Sequence, residues 1–218
     1  MNIEVGYGAG TQSVQIAERN LMGILAANSV PVDFTGAEEV QRALREPIDS
    51  PRLRDIVQPG EAVAIITSDI TRPMPTSEVL PYVLEELQAA GVVDEAITLV
   101  FGLGSHRQHT LEEQRRLAGE EVYSRIRCID SSADELVSMG VTAAGTPVDV
   151  CATVARADRR ICLGNIEYHY FAGYSGGMKA IMPGVSTAAA IANNHSLMTD
   201  PRACAGNLDS NPVRVDIE

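Results

Sequence analysis

The run AVAIITS at 62–68 is apolar almost from end to end, as a strand covered on both faces must be. A polar loop, DITRPMPT, follows it. Next comes SEVLPYVLEELQAAG at 77–91, whose apolar spacing is helical. Ser77 is the expected cap, Pro81 falls in the expected first turn, and Gly91 is the expected stop. EAITLVFG at 95–102 then repeats the strand pattern. TLEEQRRLAG opens with Thr110 and Glu113 at capping-box spacing, and RIRCID (125–130) and RRICLGNI (159–166) read as two more strands. Parallel neighbours need a crossover, so this alternation confines the chain to an α/β fold. The expected form is a mostly parallel, Rossmann-like sheet with flanking helices. Smaller pieces surround it. NIEVGYG and TQSVQIA read as a hairpin, as do ELVSMG and TPVDVCATV. GAEEVQRALREP is a short helix ended by Pro47, and STAAAIANNHSLM is a helix from about Ser186.

At 218 residues, with 45% hydrophobic and 21% charged, the chain has the composition of one globular domain, or of one domain with a small lobe. Its formal net charge of −12 argues against a nucleic-acid partner, which calls for a basic face. The apolar runs have the length of core strands rather than membrane spans, and MNIEVGYGAG lacks the pattern of a signal peptide. Cys128, Cys151, Cys162 and Cys204 are far apart, without a C-x-x-C pair. They read as buried reduced thiols of a cytoplasmic protein.

Ligands of such sheets bind beyond the carboxyl ends of the strands, and the chemically distinctive residues fall there. Asp69 and Arg72 follow the first core strand, His106 and Arg107 the second, and His169 and Lys179 the last. The Asp-x-x-Arg pair suits either a loop ion pair or an arginine that grips a carboxylate. His109 sits in a helix-capping region and reads as a hydrogen-bonded or solvated bystander. YFAGYSGGMKAIMPG, 170–184, has the glycine content of an anion-binding loop, with Ser175 adding a hydroxyl. It does not fit G-x-x-x-x-G-K-[ST], because Ala180 follows Lys179. Lys179 is the only lysine in a chain with 17 basic Lys and Arg residues.

Taken in order, SDITRP, GSHR, NIEYHYFAGYSGGMKAIMPGV, NNH and NPVR resemble the N-terminal domain of the nickel-dependent lactate racemase family, from about Tyr7 to the last residue. The resemblance implies a racemase or epimerase of 2-hydroxy acids. It works by hydride transfer to and from a nickel-pincer nucleotide, a pyridinium-3,5-bisthiocarboxylic acid mononucleotide bound covalently to a lysine. On that basis Lys179 is the attachment point and His195 the nickel ligand. His106 and His169 are the paired acid–base residues, and Arg72 and Asp69 lie near the substrate. Ser175, Gly176 and Gly177 lie near the nucleotide. The implied partners are a small 2-hydroxy acid and the enzymes that build the cofactor.

The resemblance further implies that residues 1–218 are the cofactor-binding domain and that a second, C-terminal domain lies outside the chain. By itself the chain is then expected to turn over little or no substrate and to self-associate through an exposed apolar face. Two other readings stay open at this point: a domain that binds cofactor or ligand without catalysis, and a phosphate-loop hydrolase or kinase-like enzyme.

Overall fold

The computed structural model describes residues 1–218, which divide into two compact units, Met1–Phe34 and Thr35–Glu218. The first holds the expected hairpin. β1 (Asn2–Tyr7) pairs antiparallel with β2 (Gly10–Gln15) across a turn in which Gly8 takes a φ of 58°. No helix of the chain is long and apolar enough to cross a membrane.

The second unit is built on four parallel strands, β3 (Val63–Ser68), β4 (Ile97–Gly102), β5 (Arg127–Asp130) and β8 (Arg159–Cys162), in the order β5-β4-β3-β8. The strand AVAIITS is therefore central, with β4 on one side and β8 on the other. One face packs Ile65, Leu99 and Phe101 against Leu80, Leu84 and Leu87 of α3 (Thr76–Ala89). The other face packs Ala64, Ile66 and Val100 against Val150, Val154 and Val185. Both faces being covered accounts for the unbroken apolar runs. Around the sheet lie α1 (Gly36–Arg45), α2 (Leu53–Ile56), α4 (Leu111–Ala118), α5 (Glu120–Arg125) and α6 (Ala152–Arg156). The second hairpin is β6 (Leu136–Val141) with β7 (Pro147–Cys151). After β8 come a two-residue ribbon, β9 (Tyr168–His169) with β10 (Gly173–Tyr174), then α7 (Ala188–Ser196) and α8 (Pro212–Ile217).

Several local expectations hold for the reasons that motivated them. Thr110 and Glu113 form the reciprocal capping box of α4. Gly91, at φ 83°, ends α3; its N–H donates to Gln88 O and the N–H of Val92 to Leu87 O, a Schellman closure. Others need correction. Ser77 does not cap α3, since the helix begins at Thr76 with Pro75 before it and no side-chain cap. The Thr76 hydroxyl points inward instead, 2.7 Å from that of Thr67. Starting the helix there moves Pro81 to its sixth residue, beyond the first turn. The cysteines are all free, but only Cys151 is buried. Cys162 and Cys204 are exposed, Cys162 because β8 is an edge strand with alternating burial.

One close approach locks the glycine loop onto the sheet. The Gly184 carbonyl accepts the Gly104 N–H at 2.8 Å and the Ser131 hydroxyl at 3.3 Å. A Cβ at Gly184 would stand 2.1 Å from the Ala180 carbonyl oxygen, and one at Gly102 would stand 3.1 Å from the Gly184 Cα. Only glycine lets the loop carrying Lys179 lie this tightly on the end of β4.

Candidate active site

A cavity of about 200 Å³ opens at the carboxyl ends of β3, β4 and β8. Asp69, Arg72, His106, His169, Ser175, Gly176, Lys179 and His195 all line it. Eight of the nine residues expected from the sequence thus share one wall; Gly177 is not among the lining residues. It starts the short 3-10 helix Gly177–Ala180 that carries Lys179.

Asp69 is almost fully buried, and both its oxygens are engaged. Oδ1 accepts the N–H and the hydroxyl of Thr71 (3.1 and 2.7 Å), and Oδ2 meets His106 Nδ1 at 2.5 Å. Burial pushes its pKa up, but the bonds from Thr71 and His106 outweigh this and hold it below the ordinary value. An ionised Asp69 can only accept, so neutral His106 carries its proton on Nδ1 and leaves Nε2 as the base. Arg72 is exposed and donates to the Thr71 hydroxyl at 3.1 Å. It makes no ion pair with Asp69, so the loop-stabilising alternative for that pair does not hold.

His169 is arranged the other way round. Its Nδ1 accepts the Ala172 N–H at 3.2 Å, which puts the neutral ring's proton on Nε2. Burial, then the charges of Lys179, His195 and Arg72, lower its pKa to about 4, so it is neutral near pH 7. Burial followed by Arg72 and Arg214 brings the Lys179 ammonium down to about 8. At that value about a tenth of the lysine is free amine at pH 7, against a few in ten thousand for an ordinary lysine. Acylation of Lys179 by a small amine-reactive reagent, such as an activated ester, should therefore rise with pH and level off above about 8. Peptide mass spectrometry across a pH series checks this; a rise continuing to the ordinary value of 10.5 would contradict it.

His195 lies in the last turn of α7, and its buried Nδ1 has no hydrogen-bond partner. Burial and then Lys179 push its pKa down, against a smaller opposing pull from the Ile191 backbone, whose contact with the ring falls short of hydrogen-bond geometry. A neutral imidazole nitrogen without a partner suits a metal. No group of three or more His, Cys, Asp or Glu is placed to hold a metal ion, so a metal here would need further donors from a bound group. That donor set, beside a nucleophilic lysine, fits the nickel-pincer nucleotide: Lys179 would hold its organic part and His195 its nickel.

Neighbouring residues fix these groups. Within NNH, Asn194 donates to Val213 O and Asp216 Oδ2 (3.1 and 2.8 Å), tying α7 to α8. Within NPVR, Asn211 caps α8 and donates to Phe171 O at 2.9 Å. The Ser175 hydroxyl closes its own loop, donating to Asn165 O and accepting the Glu167 N–H, both at 2.8 Å. Two residues that pack around or line the site escaped the sequence reading. Phe171 lies edge-on to His169 and His195, with ring centres 4.5 and 5.0 Å away, and 5.8 Å from Lys179 Nζ. Asn165 lines the cavity with an unpartnered buried Nδ2. An apolar ring and a lone amide have no signature of their own; their place between the motif residues was the only pointer.

The carboxyl edge of a parallel α/β sheet thus brings three histidines and the chain's one lysine to a single cavity. The chain belongs to the lactate racemase N-terminal domain family, whose model matches residues 7–206. It is 32% identical over 223 residues to the lactate racemase of Thermoanaerobacterium thermosaccharolyticum, covering 99% of this chain and 52% of that protein. It is 30% identical over 222 residues to that of Lactiplantibacillus plantarum, with the same two coverages of 99% and 52%. The solved lactate racemase apoprotein of T. thermosaccharolyticum superposes with a TM-score of 0.84 at 30% identity, over all of this chain and 52% of that one. A Thermotoga maritima protein shares the fold, with a TM-score of 0.64 at 21% identity over 87% of this chain and 48% of that one. The chain spans about half the length of the curated relatives it matches.

Proposed function

We propose that this chain is the cofactor-bearing part of a 2-hydroxyacid racemase or epimerase. The observation that carries the reading is the convergence of His106, His169, Lys179 and His195 on one cavity, with the two acid–base histidines in opposite tautomers. When bound, the nickel-pincer nucleotide supplies the hydride acceptor and donor for the substrate's α-carbon. The protein's own work is positional and acid–base. Arg72 pairs with the substrate carboxylate. Asp69 holds the His106 ring, so that its Nε2 lone pair takes the hydroxyl proton of one enantiomer and Asp69 steadies the resulting imidazolium. His169 serves the mirror-image enantiomer in the same way; being neutral, it has to take up a proton, the counterpart of the one that His106 has accepted, before it can return one to the oxygen, so that it ends as imidazole. The opposite direction exchanges these roles, which requires the two protons to be redistributed between turnovers. Asp69 therefore acts through His106 rather than by touching substrate, since neither of its oxygens is free.

The metal assignment is tested on protein co-expressed with cofactor-building enzymes. His195→Ala should keep the organic adduct on Lys179 while nickel, measured by elemental analysis, falls to a small fraction of the parent's. Equal nickel in the two proteins would refute the assignment.

The second reading is a domain that holds cofactor without turnover. Assaying both enantiomers with cofactor-loaded protein, alone and with the part of a relative that this chain does not cover added in trans, distinguishes the two.

A further inference from the structure

His109 is not part of the cavity wall, and its side chain is only 1% exposed. It is the hydrogen-bonded rather than the solvated alternative, with both ring nitrogens and its backbone N–H in use. Its backbone N–H donates to Asp130 Oδ2 at 2.8 Å, and its ring Nδ1 donates to Asp130 Oδ1 at 2.6 Å. Its Nε2 accepts the N–H of Ile70 at 3.2 Å. A backbone amide can only donate, so this bond fixes the tautomer with the proton on Nδ1, toward the carboxylate. The Phe101 ring stands edge-on at 5.4 Å and closes off water.

Asp130 ends β5, Phe101 belongs to β4, and Ile70 lies in the loop after β3. One imidazole thus joins three adjacent strand ends. Ile70 sits between Asp69 and Thr71, the residue whose N–H and hydroxyl hold Asp69 Oδ1. Asp69 in turn holds His106. The connected order is Asp130, His109, the Ile70 amide, Asp69, His106. We propose that His109 is a positioning residue for His106: by accepting the Ile70 amide it fixes the loop from which Asp69 orients the catalytic ring. This rests on the acid–base role proposed for His106, but its test does not.

A phenylalanine at 109 fills the space yet offers Ile70 no acceptor and Asp130 no ring donor, leaving buried groups unpaired. A glutamine offers one acceptor and one donor, as the imidazole does. In the 218-residue chain, the downfield proton resonance of the His106 Nδ1–H reports its bond to Asp69, and amide exchange reports the Ile70 bond. In His109→Phe the His106 signal should be lost and Ile70 exchange should quicken by at least ~10-fold. His109→Gln should retain both. Thr142→Val removes a hydroxyl bonded to Asp216, outside this network, and should leave the His106 signal in place. A folded His109→Phe with the His106 signal unchanged overturns the proposal. Should His109→Phe fail to fold, a His109→Gln protein that loses Ile70 protection while keeping the His106 signal also overturns it. Loss of that signal in Thr142→Val does so too, because the effect would then be general loosening. An intact coupling in a protein that racemises nothing would count against the racemase reading alone.

Discussion

Lys179→Ala leaves the chain without an ε-amine, and the expected result is complete loss of covalent adduct from protein co-expressed with the cofactor-building enzymes. A thioamide needs an amine nucleophile, and arginine cannot stand in, because its guanidinium stays protonated. Lys179→Arg should therefore be as empty as Lys179→Ala while keeping the positive charge beside Phe171. Neither change removes a hydrogen bond made by the lysine side chain, so both should fold. Intact mass gives the answer without an activity assay. An adduct of nucleotide size in either variant, on any peptide, would remove Lys179 from the role proposed for it.

The second large effect belongs to the two histidines. Racemisation connects species of equal energy, so forward and reverse rates must fall together. In the complete, loaded enzyme, His106→Ala and His169→Ala should each lose roughly 10²–10⁴-fold in both directions, the usual effect of losing a general acid or base. The half-reaction separates them. With one base left, each variant should oxidise one enantiomer to the keto acid and not its mirror image, and the two variants should prefer opposite enantiomers. Asp69→Asn should resemble His106→Ala in this preference, because it loses the charge that holds the Nδ1 proton in place. If both histidine variants form keto acid equally from both enantiomers, neither residue serves one face.

The sheet was legible because strands covered on both faces leave a continuous apolar trace; 62–68 and 95–102 lie within a residue or two of β3 and β4 at most ends. The loops after them carry Asp69, Arg72 and His106; the other five expected residues that line the cavity follow β8 and were picked out by the motifs of the family resemblance. What escaped depended on contacts distant in sequence. The start of α3 is set by Thr76 meeting Thr67 in the interior, a pairing that no local propensity encodes. The exposure of Cys162 follows from strand order, which puts β8 at an edge. His109 looked idle because its partner, Asp130, is 21 residues away and is brought close only by the parallel pairing of β4 and β5. Local chemistry survives reading in one dimension; the choice between two partners for the same polar atom does not.

The central place of β3 carries a further consequence. His106 descends from its neighbour on one side, β4, and His169 from its neighbour on the other, β8. Two strand spacings, about 9 to 10 Å, separate the roots of the two loops. A tetrahedral carbon with its hydroxyl, flanked on each side by an imidazole at hydrogen-bonding reach, occupies a width of that order. A chiral scaffold has no mirror plane to offer a substrate whose two forms are mirror images. If the two histidines act as proposed, the ladder spacing serves as a gauge in its place, because their loops leave the two strands that flank β3.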